Sequence, residues 1–335
     1  MTQQTHTRLF GVSHALVSPV VRIAVIAIIA IFALTPVLIL TLRKAGMVPD
    51  KQYDELMKRY KSWLILGPLM IVPVLLGAFW TIMAVGILSI LCYREYARAT
   101  GLFRERLMSL LVTAGILAVT FSVLDNWYEL FVALFPLATG AIAAIAILAD
   151  RPKGYIQRVA LSILAFTLFG VCLGHLGFFA NDDQFRPILF MIVICVELND
   201  IFAYICGKSF GHRKLAPHTS PNKTIGGGIG SLVLTTCLVV FVGHYVFRHT
   251  AIDRGRRLVM LGLIISITGQ LGDLLISSIK RDLDLKDMGV LFPGHGGWLD
   301  RFDSLILVAP AVFHYVGYFR GIGGDQPTRI LSGGL

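Results

Sequence analysis

The sequence predicts an all-α protein, a polytopic integral membrane bundle of nine or ten transmembrane helices, on three observations. Of its 335 residues, 56% are hydrophobic and only 15% are charged, against roughly 45–50% and 25% in a soluble domain. The apolar residues come in runs long enough to cross about 30 Å of hydrocarbon, which takes roughly 20 helical residues. Polar residues inside two of the later runs recur at helical spacing. A single soluble core could not hide so much apolar surface, whereas a bilayer solvates it.

The first run, 20–42, follows a mildly polar lead of residues 1–19. It is too long for the core of a signal peptide and no small-residue cleavage site follows it, so it is expected to remain as the first span. The stretch 43–61 carries six basic residues and is expected to be a cytoplasmic loop or surface helix. Residues 62–92 are too many for one span and too few for two full ones. Gly67, Pro68, Pro73 and Gly77 interrupt the run near its first third, which predicts a tight helical hairpin. Further spans are expected at 107–124, 127–149, 158–179, 187–206, 226–247, 258–279 and 304–319. The total is ten, or nine if 62–92 crosses once.

Basic loops at 43–61, 94–106, 151–158, 208–223 and 280–301 all face the cytoplasm if 62–92 crosses twice. Arg248, Arg254, Arg256 and Arg257 then fall on the other side, against the usual bias. Two spans separate the 207–224 loop from the 280–303 loop, so both emerge on one face. Cys92, Cys172, Cys195, Cys206 and Cys237 lie in or at the ends of apolar runs. Their odd number and wide spacing argue against a disulfide framework or a zinc site. The net charge of +10 is spread over short loops, with no basic domain to grip nucleic acid. Such charge suits orientation and attraction to anionic headgroups.

Ser266, Gln270, Asp273, Ser277 and Lys280 recur at steps of 4, 3, 4 and 3, which places them on one helix face. Glu197, Asp200, Tyr204 and Lys208 form a second stripe in the 187–206 span. An ionised group within a span is costly and usually faces a polar cavity or a partner. Two stripes running into loops on the same side therefore predict a shared polar recess. The first loop combines Lys, Ser, Thr and Gly without Walker spacing, the residue types that phosphate binding uses. The second alternates Asp287, Asp300 and Asp303 with Lys280, Arg281, Lys286 and Arg301 around Pro293-Gly-His-Gly-Gly297. Acids for a divalent metal beside bases for phosphate oxygens is the layout of phosphoryl and nucleotidyl transfer.

The segment from Ser277 to Asp303 resembles the signature of the phosphatidate cytidylyltransferases (CDP-diacylglycerol synthases). That signature runs Ser-x-hydrophobic-Lys-Arg, four residues, Lys-Asp, a proline-containing turn, His-Gly-Gly and Asp-Arg-x-Asp. Trp298 replaces a smaller aliphatic residue. Asp200–Gly207, Leu215–Pro217 and Ser220–Thr224 resemble a second block of the same family, and Glu95 stands where the family tends to carry a Glu. The chain departs from the pattern at 225–228, Ile-Gly-Gly-Gly, which lacks a following acid, and at Ile276, where many members have Glu.

The resemblance implies that CTP and phosphatidic acid become CDP-diacylglycerol and pyrophosphate. It implies catalytic roles for Lys280, Arg281, Lys286, Asp287, His295, Arg301 and Asp303. Asp200, Tyr204, Ser220, Asn222, Lys223, Thr224 and Ser277 would bind substrate, and Asp273 and Asp300 would hold Mg²⁺, with K⁺ beside it as an option. His295 is expected to shape the turn or donate to a phosphate oxygen rather than act as a base. Residues 1–180 are expected to form an N-terminal transmembrane region, and 181–335 the catalytic region. The expected setting is a bacterial inner (plasma) membrane with the site facing the cytoplasm; a homodimer is compatible with this reading. Rival readings are a divergent paralogue acting on another lipid phosphate, a CTP-dependent lipid kinase, and an ion-coupled transporter.

Overall fold

The computed structural model describes residues 3–47, 49–291, 296–323 and 326–333. Among them, ten helices are long and apolar enough to cross a membrane. A short helix, α1 (Gln3–Phe10), precedes α2 (Pro19–Lys44), α3 (Asp50–Leu76), α4 (Ala78–Thr100), α5 (Arg106–Leu124) and α6 (Tyr128–Ala146). One span, Tyr155–Phe179, consists of α7 (Tyr155–Ala165), a wide π turn (Phe166–Cys172) and α8 (Leu173–Phe179). Then come α9 (Phe185–Phe210), α10 (Ile225–Val246), α11 (Gly255–Asp282) and α12 (Leu299–Arg320). The exception to an all-α fold is an antiparallel hairpin between α9 and α10, made of β1 (Lys214–Ala216) and β2 (Ser220–Thr224).

The structure corrects the sequence reading of the region between the first two runs. The polar stretch 50–61, expected to be loop or surface helix, is the first part of α3. It contains no glycine or proline, and Tyr53, Leu56, Met57 and Tyr60 line one side at helical spacing. The break in the long run comes at Gly77, later than its first third. Gly77 has φ 135°, a conformation closed to other residues. Pro68 and Pro73 stay inside α3.

Proline also explains how α3 is held to α2. Pro36 lies within α2 and has no N–H, so the Phe32 carbonyl loses its helical donor. The Tyr60 hydroxyl of α3 supplies one, donating to Phe32 O at 2.9 Å. A buried carbonyl in lipid needs such a partner.

Ten crossings put residues 3–18, Gly77, 125–127, 180–184, 247–254, 321–323 and 326–333 on one face. The 45–47, 101–105, 150–154, 211–224 and 283–291 segments lie on the other. Contacts on the first face agree with this. Arg8 Nη1 donates to Asn181 Oδ1 at 2.6 Å, and Arg186 Nη2 donates to Gly11 O at 2.9 Å. Arg320 pairs with Asp182 at 2.9 Å, and the Ser332 hydroxyl donates to Asp125 at 2.6 Å. Burial lowers the Arg8 guanidinium's pKa to about 10, against the opposing pull of Asp183 and Asp182.

Candidate active site

α9, α10, α11 and α12 pack in succession, and the polar stripe of α11 faces their common interior. Its deeper half holds helices together. Ser266 and Thr235 hydroxyls both donate to Asn199 Oδ1, at 2.7 and 3.0 Å. Gln270 Nε2 reaches Ser231 Oγ at 3.1 Å, Ser266 Oγ at 3.2 Å and Gly228 O at 3.3 Å. Interhelical hydrogen bonds of this kind are ordinary glue in a membrane bundle.

The outer half is different, because charged groups converge there. Lys223, at the end of β2, forms an ion pair with Asp273, whose other oxygen accepts from Ser277 Oγ at 3.1 Å. Thr224, the next residue, caps α10 by accepting from Gly227 N at 3.1 Å. The hairpin thus presents Lys223 by ending in a helix cap. Arg281 Nε donates to Thr219 O at 3.2 Å and ties the α11 exit to the hairpin. These contacts place the two loops on the same face, as the number of intervening spans requires.

The start of α12 supplies the rest. Asp300 accepts from Lys280 Nζ at 2.9 Å on one oxygen. Its other oxygen accepts from the backbone N–H groups of Met288 (2.8 Å), Gly297 (2.9 Å) and Gly289 (3.4 Å). A carboxylate has about four lone-pair sites, two on each oxygen; the second oxygen is fully engaged by backbone, while the first accepts from Lys280 alone. In this arrangement Asp300 braces the loop, and Mg²⁺ at its first oxygen would compete with Lys280. Gly296 has φ 77°, and a Cβ on it would lie 2.6 Å from the Asp300 carboxylate. The first glycine after His295 is therefore required by the brace.

Glu95 comes from the other half of the chain. Its two oxygens accept from Trp298 N and Leu299 N, each at 2.9 Å. The first N–H groups of a helix have no internal partner, and a carboxylate suits the positive helix end. Next to this cap, Gly272 of α11 abuts α12, since a Cβ there would lie 2.6 Å from Asp303 O. That close approach sets Asp273 beside Asp303. Ser304 N donates to Asp303 Oδ1 at 2.8 Å, and Ser304 Oγ to Asp200 Oδ2 at 3.4 Å. Asp200, Asp273 and Asp303 lie within electrostatic reach of one another, with Lys223, Lys280 and Arg301 among them. The buried Arg301 Nε has no hydrogen-bond partner among the described residues.

Of the residues singled out in the sequence, the structure brings together Asp200, Lys223, Asp273, Ser277, Lys280, Asp300, Arg301 and Asp303. It does not bring in Tyr204, which is 70% exposed. Lys286, Asp287 and Asn222 are exposed and Ser220 is half-buried, and their side chains make no ion pair or hydrogen bond with another described residue. Arg281 is exposed and ties two loops; Thr224 is a buried cap. His295 lies outside the described residues. Glu95 and Asn199 were missed as site-forming residues. Only Glu95 had a signal, its position at a helix exit in a family-like place.

Among the described residues, no three His, Cys, Asp or Glu side chains converge closely enough to hold a metal ion. Mg²⁺ commonly takes one or two carboxylates and completes its shell with water and substrate phosphate. The hard oxygens of Asp273 and Asp303 fit that pattern, whereas Asp300 is already paired with Lys280.

The cytidylyltransferase family profile matches residues 57–319, which include every charged residue of the recess. The chain is 30% identical over 280 residues to the Escherichia coli (strain K12) protein titled uncharacterized protein YnbB, covering 81% of this chain and 90% of that one. It is 35% identical over 171 residues to the phosphatidate cytidylyltransferase of Bacillus subtilis (strain 168), covering 49% and 60% of the two chains. For the phosphatidate cytidylyltransferase of Staphylococcus haemolyticus (strain JCSC1435) the identity is 40% over 158 residues, covering 46% and 59%. The similarity thus spans about 60% of the length of those two enzymes. Converging cations and carboxylates within a ten-helix membrane bundle, together with this match, establish that the chain belongs to the cytidylyltransferase family and is a nucleotidyltransferase.

Proposed function

We propose that this integral membrane enzyme transfers the cytidylyl group of CTP to phosphatidic acid. A phosphate oxygen of the lipid bonds to the α-phosphorus of CTP. The bond from that phosphorus to the oxygen bridging it to the β-phosphate breaks, and pyrophosphate leaves with the electron pair. A phosphate monoester has its second pKa near 6 and is largely dianionic at neutral pH, so no side chain has to remove a proton. The obstacle is bringing a dianion to a polyanion.

The convergence of Lys223, Lys280 and Arg301 on one recess carries this reading, because fixed cations offset that repulsion and align the reacting phosphates. Lys223 is held by Asp273 until phosphate oxygens compete for it. Arg301, with a buried N–H to offer, suits a phosphate oxygen. Mg²⁺, when bound at Asp273 and Asp303, would supply further charge neutralisation on the phosphates. Ser277 orients Asp273, while Glu95 and Asp300 hold the loop and the first turn of α12. The recess opens to the face that carries most of the chain's 30 lysines and arginines, which supports a cytoplasmic site in a bacterial inner membrane.

A second reading has its own support. The similarity to YnbB covers 81% of the chain, whereas that to the phosphatidate enzymes above covers 46–49%. A different lipid phosphate would keep the same chemistry. One assay separates these readings: purified protein with Mg²⁺, labelled CTP and dioleoyl phosphatidic acid, resolved by thin-layer chromatography. Label from the α-phosphate appearing in the lipid supports the proposal. Label from the γ-phosphate in the lipid identifies a kinase instead. No product with phosphatidic acid, but one with another lipid phosphate, supports the second reading.

A further inference from the structure

A cavity of about 610 Å³ lies between α2, α3 and α9, within the roughly 300–1,000 Å³ of typical small-ligand sites. Its wall includes Ile28 and Phe32 of α2, Trp63 and Met70 of α3, and Val193 and Glu197 of α9. Apart from Arg59 and Glu197, none of its lining residues is charged. Along α2 the lining runs from Ala24 to Ile39, about 22 Å at 1.5 Å per residue. That exceeds the ~15 Å of hydrocarbon in one leaflet. Helix α2 lies before residue 57, where the family match begins. In its most apolar stretch only 6% of residues are buried. It meets α3 closely at Phe32, through the Tyr60 hydrogen bond and the missing side chain of Gly67.

Protein interiors close such gaps, and apolar cavities stay dry and accept apolar guests. The apolar lining of this one suits a hydrocarbon chain. Glu197 identifies which hydrocarbon. It lines the cavity, lies three residues before Asp200 on the same helix, and is within electrostatic reach of Asp200 and Arg301. The cavity thus adjoins the recess that would receive the phosphates.

We infer that the α2–α3–α9 cavity is a slot for an acyl chain of the lipid phosphate substrate, with the headgroup end at Glu197. This rests on the proposed lipid-phosphate reading. Helix α2 forms the outer wall of the slot, so it contributes to lipid selectivity without touching the reacting groups.

The test compares long and short chains. Ile28→Trp and Val193→Phe fill the slot, and each is expected to lower the ratio of kcat/KM for dioleoyl over dihexanoyl phosphatidic acid by about tenfold or more, the effect of ~1.4 kcal/mol. Leu110→Phe, on the exposed side of α5, controls for added bulk elsewhere. An unchanged ratio in both filled variants overturns the slot. A second measurement does not depend on turnover. A phosphatidic acid with a diazirine in its acyl chain should label the 19–44 and 185–210 segments of the unmodified protein, and excess dioleoyl phosphatidic acid should suppress that labelling. Labelling spread evenly over all lipid-facing helices overturns the slot. Slot labelling without phosphatidate turnover would instead reject the proposed reaction and leave the slot standing.

Discussion

Replacing Asp300 with asparagine separates a metal ligand from a structural brace. The Lys280–Asp300 pair is 2.9 Å long, with side chains only 10% and 3% exposed. Removing one partner of a buried pair typically costs about 3–5 kcal/mol, because the other charge is left uncompensated. Asparagine keeps one acceptor oxygen and turns the other position into a donor. That donor faces either Lys280 or the N–H groups of Met288 and Gly297, which lie 2.8 and 2.9 Å from the present carboxylate. An unsatisfied buried donor costs roughly 1–3 kcal/mol, and the two losses overlap rather than add. The expected destabilisation is therefore about 3–5 kcal/mol, a large share of the ~5–15 kcal/mol that holds a typical domain. Denaturant unfolding in detergent, followed by the fluorescence of the four tryptophans, measures it. Residual turnover, titrated with Mg²⁺, should show an unchanged half-saturating concentration. A variant of normal stability that needs much more Mg²⁺ would refute the brace and return Asp300 to the metal.

The other predictions concern the same recess. Asp273→Asn should lower turnover by about a thousandfold, equivalent to ~4 kcal/mol, with little loss of folded protein. Lys223→Ala should also be severe, and the double variant should be little worse than either single because the pair acts as a unit; additive losses measured by pyrophosphate release would count against that coupling. Glu95→Ala removes the acceptor for two N–H groups of α12 and should cost about 1–2 kcal/mol of stability, as loss of a helix cap does. It should also reduce turnover about a hundredfold, since a shift of ~1 Å in reacting groups has that effect; normal kinetics would show that the cap does not position Arg301 and Asp303. Single cysteines at Ser209 and Asp284, in a background lacking the five native ones, should react with an impermeant maleimide from the same side of sealed vesicles. Labelling from opposite sides would dismantle the two-loop recess.

Much of this molecule was legible in the chain because it depends on local periodicity. Apolar run length defines the spans, and the steps among Ser266, Gln270, Asp273, Ser277 and Lys280 place those residues on one face of α11. Counting spans sufficed to put the 211–224 and 283–291 segments on one side. The family-like motif named most of the charged residues that converge. Tertiary structure decided which of them act together. Ser266 and Gln270 share a stripe with Asp273, yet they bond to Asn199, Ser231 and Gly228 as interhelical glue. Asp300 and Asp303 lie three residues apart, yet one accepts from Lys280 and three backbone N–H groups while the other faces Asp200 and Asp273. Glu95 meets Trp298 and Leu299 across some 200 positions, a contact that no local pattern encodes. The same holds for Tyr60 and the Phe32 carbonyl that Pro36 leaves unpaired. Periodicity determines which face of a helix a residue occupies, but the donor that reaches it comes from another helix, and only packing brings the two together.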